Sequence, residues 1–243
     1  MAHLEARGIS VRFGGKAALN DTTVLVERGA VTGLIGPNGA GKTTLFNVVC
    51  GLQAPNAGRV LLDGDDVTRK APHRRARHGL ARTFQRLELF TSLTVRDNVR
   101  VGGDIHKSWT RGRRDTAAEA ERVLELTGLA SIADREVAEI PTGQARVVEL
   151  ARALMTRPTA LLLDEPAAGQ TDEETAAFGR LLRRLAGDGL AICLVEHDMT
   201  LVMDVCETIH VLDYGRTIAV GPPEQVRDDP AVIEAYLGTP EGV

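Results

Sequence analysis

Aromatic side chains are scarce: five Phe, two Tyr and one Trp among 243 residues. A chain so poor in ring faces offers no stacking platform for single-stranded nucleic acid, and a net charge of −4 gives no positive field to hold a duplex. Cysteine is scarcer still. Cys50, Cys193 and Cys206 are odd in number, lack C-x-x-C spacing and have apolar neighbours. Buried reduced thiols are therefore expected, not a disulfide, metal site or nucleophile. No apolar run approaches the length that spans a bilayer. The start Met1-Ala2-His3-Leu4-Glu5-Ala6-Arg7 also lacks the basic-then-apolar order of a secretory leader, so a cytosolic chain is expected. What is present, 43% hydrophobic and 26% charged residues, suits one large domain or a domain with an insertion.

Lysine is rare too, and one of the four carries the strongest signal in the sequence. Gly36-Pro37-Asn38-Gly39-Ala40-Gly41-Lys42-Thr43-Thr44 fits G-x-x-x-x-G-K-T and follows the apolar run Val31 to Ile35. Pro37 and Asn38 favour a turn, the glycines let backbone N–H groups crowd around an anion, and the following helix adds its positive dipole end. A triphosphate fits that cradle. Lys42 would bond the terminal phosphates with a charge-assisted interaction of about 1.5–3 kcal/mol, the Thr43 hydroxyl would ligate Mg²⁺, and Thr44 would support the next phosphate.

Leu4 to Val11, Thr22 to Val26 and Arg59 to Leu62 read as strands, the last entering an Asp63-Gly64 turn. Later apolar runs, Ala160 to Leu163 and Leu190 to Val195, adjoin helical stretches as in a parallel sheet covered on both faces. From about Arg86 to Arg157 no strand stands out, and Thr94 to Val101, Asp115 to Thr127 and Gln144 to Met155 are amphipathic. This stretch reads as an inserted helical lobe, with Val101 to Arg114 as a mobile connection inside it.

Leu161-Leu162-Leu163-Asp164-Glu165-Pro166 is an apolar strand ending in two carboxylates, where a parallel sheet presents its upper edge to phosphates. Asp164 can hold a magnesium shell and Glu165 can orient or deprotonate an attacking water; capping of the next helix is the plainer alternative. Ala191 to Val195 ends in Glu196-His197-Asp198, bringing an imidazole to the same edge, either against a γ-phosphate or as a solvated His before a helix cap. Gln85 stands where the strand-like Ala81 to Phe84 meets the lobe, so its amide can reach metal and nucleotide. Ile140-Pro141-Thr142-Gly143-Gln144 precedes another periodic helix and again presents helix N–H groups to an anion. Two phosphate turns in one chain are reconciled if the second serves a nucleotide held by another subunit.

Taken in order, the phosphate loop, Gln85, I-P-T-G-Q, L-L-L-D-E-P and E-H-D resemble the ATP-binding subunit of ABC transporters, from about Leu4 to Leu237. The resemblance implies an α/β P-loop NTPase with a mainly parallel sheet core, an N-terminal antiparallel β subdomain and an inserted α-helical subdomain. Residues 1–85 and 158–243 would form the ATPase core with its β subdomain, and 86–157 the helical subdomain carrying the signature motif. Phe13, in V-R-F-G-G, matches the aromatic that stacks on adenine, Glu165 the catalytic base and His197 the switch histidine. Lys42 and Gln85 complete the catalytic set, and Thr43, Gln85 and Asp164 the Mg²⁺ set. The nucleotide set is Phe13, Gly36 to Thr44, and Thr142, Gly143 and Gln144 from a partner domain.

F-G-G-K-A-L, A-R-T-F-Q-R-L-E-L-F-T-S-L-T-V-R-D-N-V and D-P-A-V-I-E-A-Y-L-G are similar to importers of branched-chain amino acids, some of which carry urea or short amides. Implied partners are a second ATP-binding subunit, membrane permease chains and, indirectly, an extracytoplasmic substrate-binding protein; the implied place is the cytoplasmic face of the membrane. Two departures stand out: Pro141 where the signature has serine, and Thr171 where a cross-subunit Asp or Asn is expected. Leu87, Leu89, Phe90 and Leu93 serve either a permease groove or the lobe's own core. Arg69, Lys70, Arg74, Arg75, Arg77 and Arg82 form either a solvated helix face or a surface near anionic lipid. An ABC exporter ATPase shares the same motor. A soluble ABC ATPase would bring two halves or coiled-coil heptads, a GTPase an N-K-x-D segment, and none of these is present.

Overall fold

Buried and exposed positions alternate over residues 22–27, the mark of a two-sided sheet, and the computed structural model, which describes residues 2–110 and 115–237, contains it. Strands β1 (Ala2–Phe13) and β2 (Lys16–Glu27) pair antiparallel. β3 (Val31–Ile35), buried at every position, leads through the phosphate loop into α1 (Lys42–Cys50). β4 (Ala57–Leu62) returns beside β1 and turns tightly into β5 (Asp65–Asp66). Asp63 and Gly64 both have positive φ, 52° and 83°, the requirement of a two-residue hairpin turn whose twist matches its strands. The order of this sheet is β2-β1-β4-β5.

After α2 (Pro72–Arg77) and the short β6 (Leu80–Arg82), the chain runs through α3 (Val95–Thr110), α4 (Thr116–Leu126) and α5 (Thr142–Leu154). It then alternates β7 (Ala160–Asp164), α6 (Asp172–Gly187), β8 (Ala191–Val195), α7 (Met199–Val205) and β9 (Thr208–Asp213), and closes with β10 (Arg216–Gly221), α8 (Pro223–Arg227) and α9 (Pro230–Leu237). The second sheet has the order β10-β9-β3-β8-β7-β6, parallel except for the β9–β10 pair. One apolar core, with Ile9, Val11, Phe46, Val60 and Leu162, fills the space between the two sheets and α1. A second, with Phe178, Leu182, Ile192 and Leu201, packs α6 and α7 on the opposite face. A third, with Val95, Val99, Leu124, Val148 and Met155, joins α3, α4 and α5.

Three expectations need correction. Val101 to Arg114 is not a connecting loop as far as it is described: α3 continues to Thr110, and 111–114 lie outside the described residues. Gly102 and Gly103 are buried in that helix because a Cβ on Gly102 would stand 2.2 Å from the Arg152 carbonyl oxygen of α5. The closing β9–β10 pair had no counterpart in the sequence reading. The basic stretch, finally, is not one surface. Arg75 is 2% exposed and donates to the carbonyls of Val48 (2.7 Å), Val49 (2.6 Å), Thr68 (2.7 Å) and Lys70 (2.9 Å), closing the end of α1. The three cysteines are free; Cys193 and Cys206 are buried as expected, with burial pushing Cys206 up to about 12, whereas Cys50 is half-buried.

Replacing Arg75 with Met strands those carbonyls at about 1–3 kcal/mol for each left unpaired, so urea unfolding should show a loss of at least about 2 kcal/mol. A loss below about 0.5 kcal/mol would contradict the clamp. Stability should also fall with acid. Burial holds His210 and His3 below their ordinary value, and His210 Nδ1 has no partner for a second proton. The unfolded chain takes up these protons near pH 6.5 and the folded chain resists, so stability present above that pH is lost below it. His210→Gln should flatten the slope of unfolding free energy between about pH 6.5 and 5; an unchanged slope would place the acid sensitivity elsewhere.

Candidate functional site

Backbone packing shapes the phosphate loop. Gly36 leaves β3 at φ 145°, where a Cβ would lie 2.0 Å from the Leu212 carbonyl oxygen of β9, so only glycine can stand there. Gly41 precedes α1 with φ 110° and supplies no side-chain cap, leaving the first N–H groups of the helix without partners. Lys42 lies along the loop, 7% exposed, with Nζ donating to the Gly36 and Pro37 carbonyls, the latter at 3.1 Å. Burial pushes its ammonium below the ordinary value, against the opposing charges of Glu165 and Asp164. A cavity of about 1010 Å³ surrounds this loop, lined along it by Pro37, Asn38, Gly39, Ala40, Gly41, Lys42, Thr43 and Thr44. At one end Phe13 is 55% exposed beside Lys16 and Ala17; at the other stand Gln85, Glu165 and His197.

These last three meet. Glu165 has φ 51°, a left-handed backbone that a non-glycine residue adopts at a cost of about 1–3 kcal/mol. Its Oε2 accepts from Gln85 Nε2 at 3.0 Å, and its Oε1 lies 2.9 Å from His197 Nε2. The turns carrying Glu165 and His197 are tied by the buried Glu196, whose carboxylate accepts from the backbone N–H of Ala167 (2.7 Å) and His197 (2.9 Å). Asp198 caps α7 through Thr200 and Leu201 N–H, as the helix-cap alternative has it, and the half-exposed His197 before it lies against Glu165. Asp164 is 3% exposed and stands behind the cavity wall, its Oδ2 accepting from Arg82 Nη2 at 2.9 Å. Among the described residues no cluster of His, Cys, Asp and Glu makes a cation cage. The Thr43 hydroxyl, the Gln85 amide oxygen and the Asp164 carboxylate are hard oxygen donors, the set that suits Mg²⁺ held mainly by phosphates and water.

Arg82 and Arg146 are the functional neighbours that sequence reasoning missed. Arg82, counted there with the basic surface, is a buried cation. Arg146, on α5, donates to the carbonyls of Phe84 (2.7 Å) and Gln85, and Glu149 one turn on accepts from Glu88 N–H at 2.9 Å. Asn98 of α3, wholly buried, holds Phe90 through its N–H and carbonyl, both at 2.9 Å. Side chains from two helices thus fix the loop after β6. Leu89 packs against the α3–α4–α5 core, as the core alternative has it, whereas Leu87 and Phe90 stay exposed.

Thr142, Gly143 and Gln144 do not reach the phosphate cavity of their own chain. They open α5 after Pro141, again without a side-chain cap, and Gly143 and Gln144 line a separate cavity of about 390 Å³ with Gln170 and Phe178. Thr171 caps α6 reciprocally with Glu174, its hydroxyl accepting from Glu174 N–H at 3.3 Å. α9 also went unread: Ala231, Glu234 and Ala235 line the phosphate cavity, and Tyr236 meets the Gly36 backbone.

Residues 19–168 match the family model "ABC transporter", and residues 216–242 match "Branched-chain amino acid ATP-binding cassette transporter". The chain is 40% identical to the high-affinity branched-chain amino acid transport ATP-binding protein BraF of Pseudomonas aeruginosa and 37% identical to LivG of Escherichia coli K12, each over 97% of both chains. Among solved structures, the ADP conformation of an ATP-binding cassette of an ABC transporter superposes with TM-score 0.89 at 32% identity, covering 98% of this chain and all of the other. A match that begins in β2 and resumes in β10, on a fold shared over nearly the whole length, places this protein in the ABC transporter family, in its branched-chain amino acid ATP-binding branch, as an ATPase whose hydrolysis is coupled to transport.

Proposed function

We propose that the chain is the ATP-hydrolysing subunit of an importer for branched-chain amino acids or related small amides such as urea, working at the cytoplasmic face of the membrane. The observation that carries the catalytic part is the convergence of Gln85 and His197, from separate loops, on the Glu165 carboxylate at the edge of the phosphate cavity. Phe13 stacks on adenine, the N–H groups of Gly36 to Thr44 wrap the phosphates, and Lys42 exchanges its carbonyl partners for the terminal phosphates. Thr43, Gln85 and Asp164 would hold Mg²⁺, which would neutralise phosphate charge as the bond to the leaving group breaks. Glu165 accepts the proton of the attacking water as its oxygen bonds to the γ-phosphorus, and the bridging oxygen leaves with ADP. His197 and Gln85 hold that carboxylate in line.

Residues 86–157 act as the helical subdomain in this reading. The unpartnered N–H groups of Thr142, Gly143 and Gln144 close over the nucleotide of a second ATP-binding subunit, and Leu87 and Phe90 receive a permease segment. Burial of each apolar side chain there contributes about 1.5–3 kcal/mol. The substrate-binding protein outside the membrane acts only through the permease chains. Support for the cargo comes from the names of BraF and LivG and from the C-terminal family match.

Glu165→Gln should cut Mg²⁺-dependent ATP turnover by about 10²–10⁴-fold while leaving ATP affinity within a few fold; near-normal turnover would remove Glu165 as the base. In the same variant, ATP should drive dimers, with the companion ATPase chain where the pair is mixed, as read by sedimentation. Gly143→Gln should abolish them without disturbing nucleotide binding to the phosphate loop. Dimers that form equally well in that variant would remove the shared pocket.

A further inference from the structure

Arg82 is enclosed by three elements at once. Its side chain is 6% exposed, its Nη1 donates to Asn47 Oδ1 of α1 at 2.7 Å and its Nη2 to Asp164 Oδ2 at the end of β7 at 2.9 Å. The flat guanidinium lies over two rings, 5.4 Å from the centroid of Phe46 and 5.0 Å from that of Phe84, both within cation–π range. The two rings differ in one respect. Phe46 is 1% exposed and belongs to the core, whereas Phe84 is 41% exposed and sits one residue before Gln85.

A buried arginine in this position has few ways to relax. It cannot shed its proton, so its charge needs Asp164, and its planar group packs against both rings. Asp164, in turn, is fixed by the same guanidinium, because a carboxylate with one oxygen bonded presents the other in a defined direction. Moving Phe84 therefore moves one of the two rings against the guanidinium, and of those two rings it is the exposed one.

We propose that Arg82 is a positioning residue for Asp164, and that Phe84 is the surface through which a docked permease segment acts on it. The inference rests on the reading that the loop after β6 receives the permease. It adds a route by which occupancy of the groove reaches the magnesium end of the nucleotide site without passing through Gln85.

Mn²⁺ binding to the ATP complex, followed by electron paramagnetic resonance in the Glu165→Gln background, tests it without requiring turnover. Arg82→Lys keeps the charge but cannot make both bonds, and should weaken Mn²⁺ about tenfold, while ATP affinity in EDTA stays within about twofold. Phe84→Leu keeps the groove apolar and removes only the π face; it should weaken Mn²⁺ about threefold. The double variant should be no weaker than Arg82→Lys, because the ring acts through the guanidinium. Multiplying effects, or Mn²⁺ affinity indifferent to Phe84→Leu, would overturn the lever. The half-exposed ring makes that variant safe for folding, so this arm stands even if Arg82→Lys misfolds. Permease chains added to the wild type should shift Mn²⁺ affinity, and Phe84→Leu should erase the shift; a shift that survives in the variant overturns the proposal. A parent chain that neither binds nor hydrolyses ATP removes the transport ATPase reading instead, which separates the two failures.

Discussion

The close approach of three backbones around the phosphate loop is the constraint on which the site depends. Gly36 lies against Leu212 of β9, and Gly41 faces the Ala18 carbonyl in β2. Gly215, between β9 and β10, donates its N–H to Ala40 O at 2.9 Å and accepts at its own carbonyl from Asn20 N–H and the Thr22 hydroxyl, each at 2.7 Å. The loop is held from the parallel sheet on one side and the antiparallel sheet on the other. Its N–H groups are consequently aimed before any anion arrives, which is what gives such a cradle its electrostatic advantage. The cavity end with Phe13 shares in this arrangement, since β1 and β2 carry both the ring and the residues that brace Gly41.

Much of this was legible because the signal lies in local chemistry. Glycine at positive φ, Lys42 after Gly41, and carboxylates at the end of an all-apolar run are patterns whose geometry follows from a few consecutive residues. The Asp63-Gly64 turn belongs to the same class, and so do the amphipathic stripes of α4 and α5. The β9–β10 pair was illegible for the opposite reason. Thr208–Asp213 has no neighbours in sequence to announce that it lies beside β3, more than 170 residues earlier in the chain, and its pairing is purely long-range.

Charge misled in a consistent way. Arg75 and Arg82 read as part of a solvated or lipid-facing surface and Arg146 went unread, because arginine is rarely buried, yet each is withdrawn to bond acceptors inside the protein. Arg75 takes the carbonyls at the end of α1, Arg146 those of Phe84 and Gln85, and Arg82 a side-chain amide and a carboxylate. Sequence shows the cation but not the orphaned acceptors, which belong to residues from a few to over eighty positions away.

The two departures from the family pattern acquire different weights in this light. Thr171 has its hydroxyl and its N–H both engaged with Glu174, and Gln170 N–H bonds Ala167 O at 3.1 Å, so the segment from Glu165 to α6 is locally satisfied. A residue so engaged has little left to offer across a subunit boundary, and the neighbouring Asp172, exposed at the first turn of α6, is the group free to do so. Pro141 is the milder change. It precedes the helix where no N–H is needed, fixes the entry of α5 and leaves its first N–H groups without a side-chain cap. The loss at that turn is one hydroxyl, while the backbone donors that a phosphate would use are unchanged. In the dimer proposed above, asymmetry between two nucleotide sites would therefore arise at Thr171 and not at the Pro141 turn.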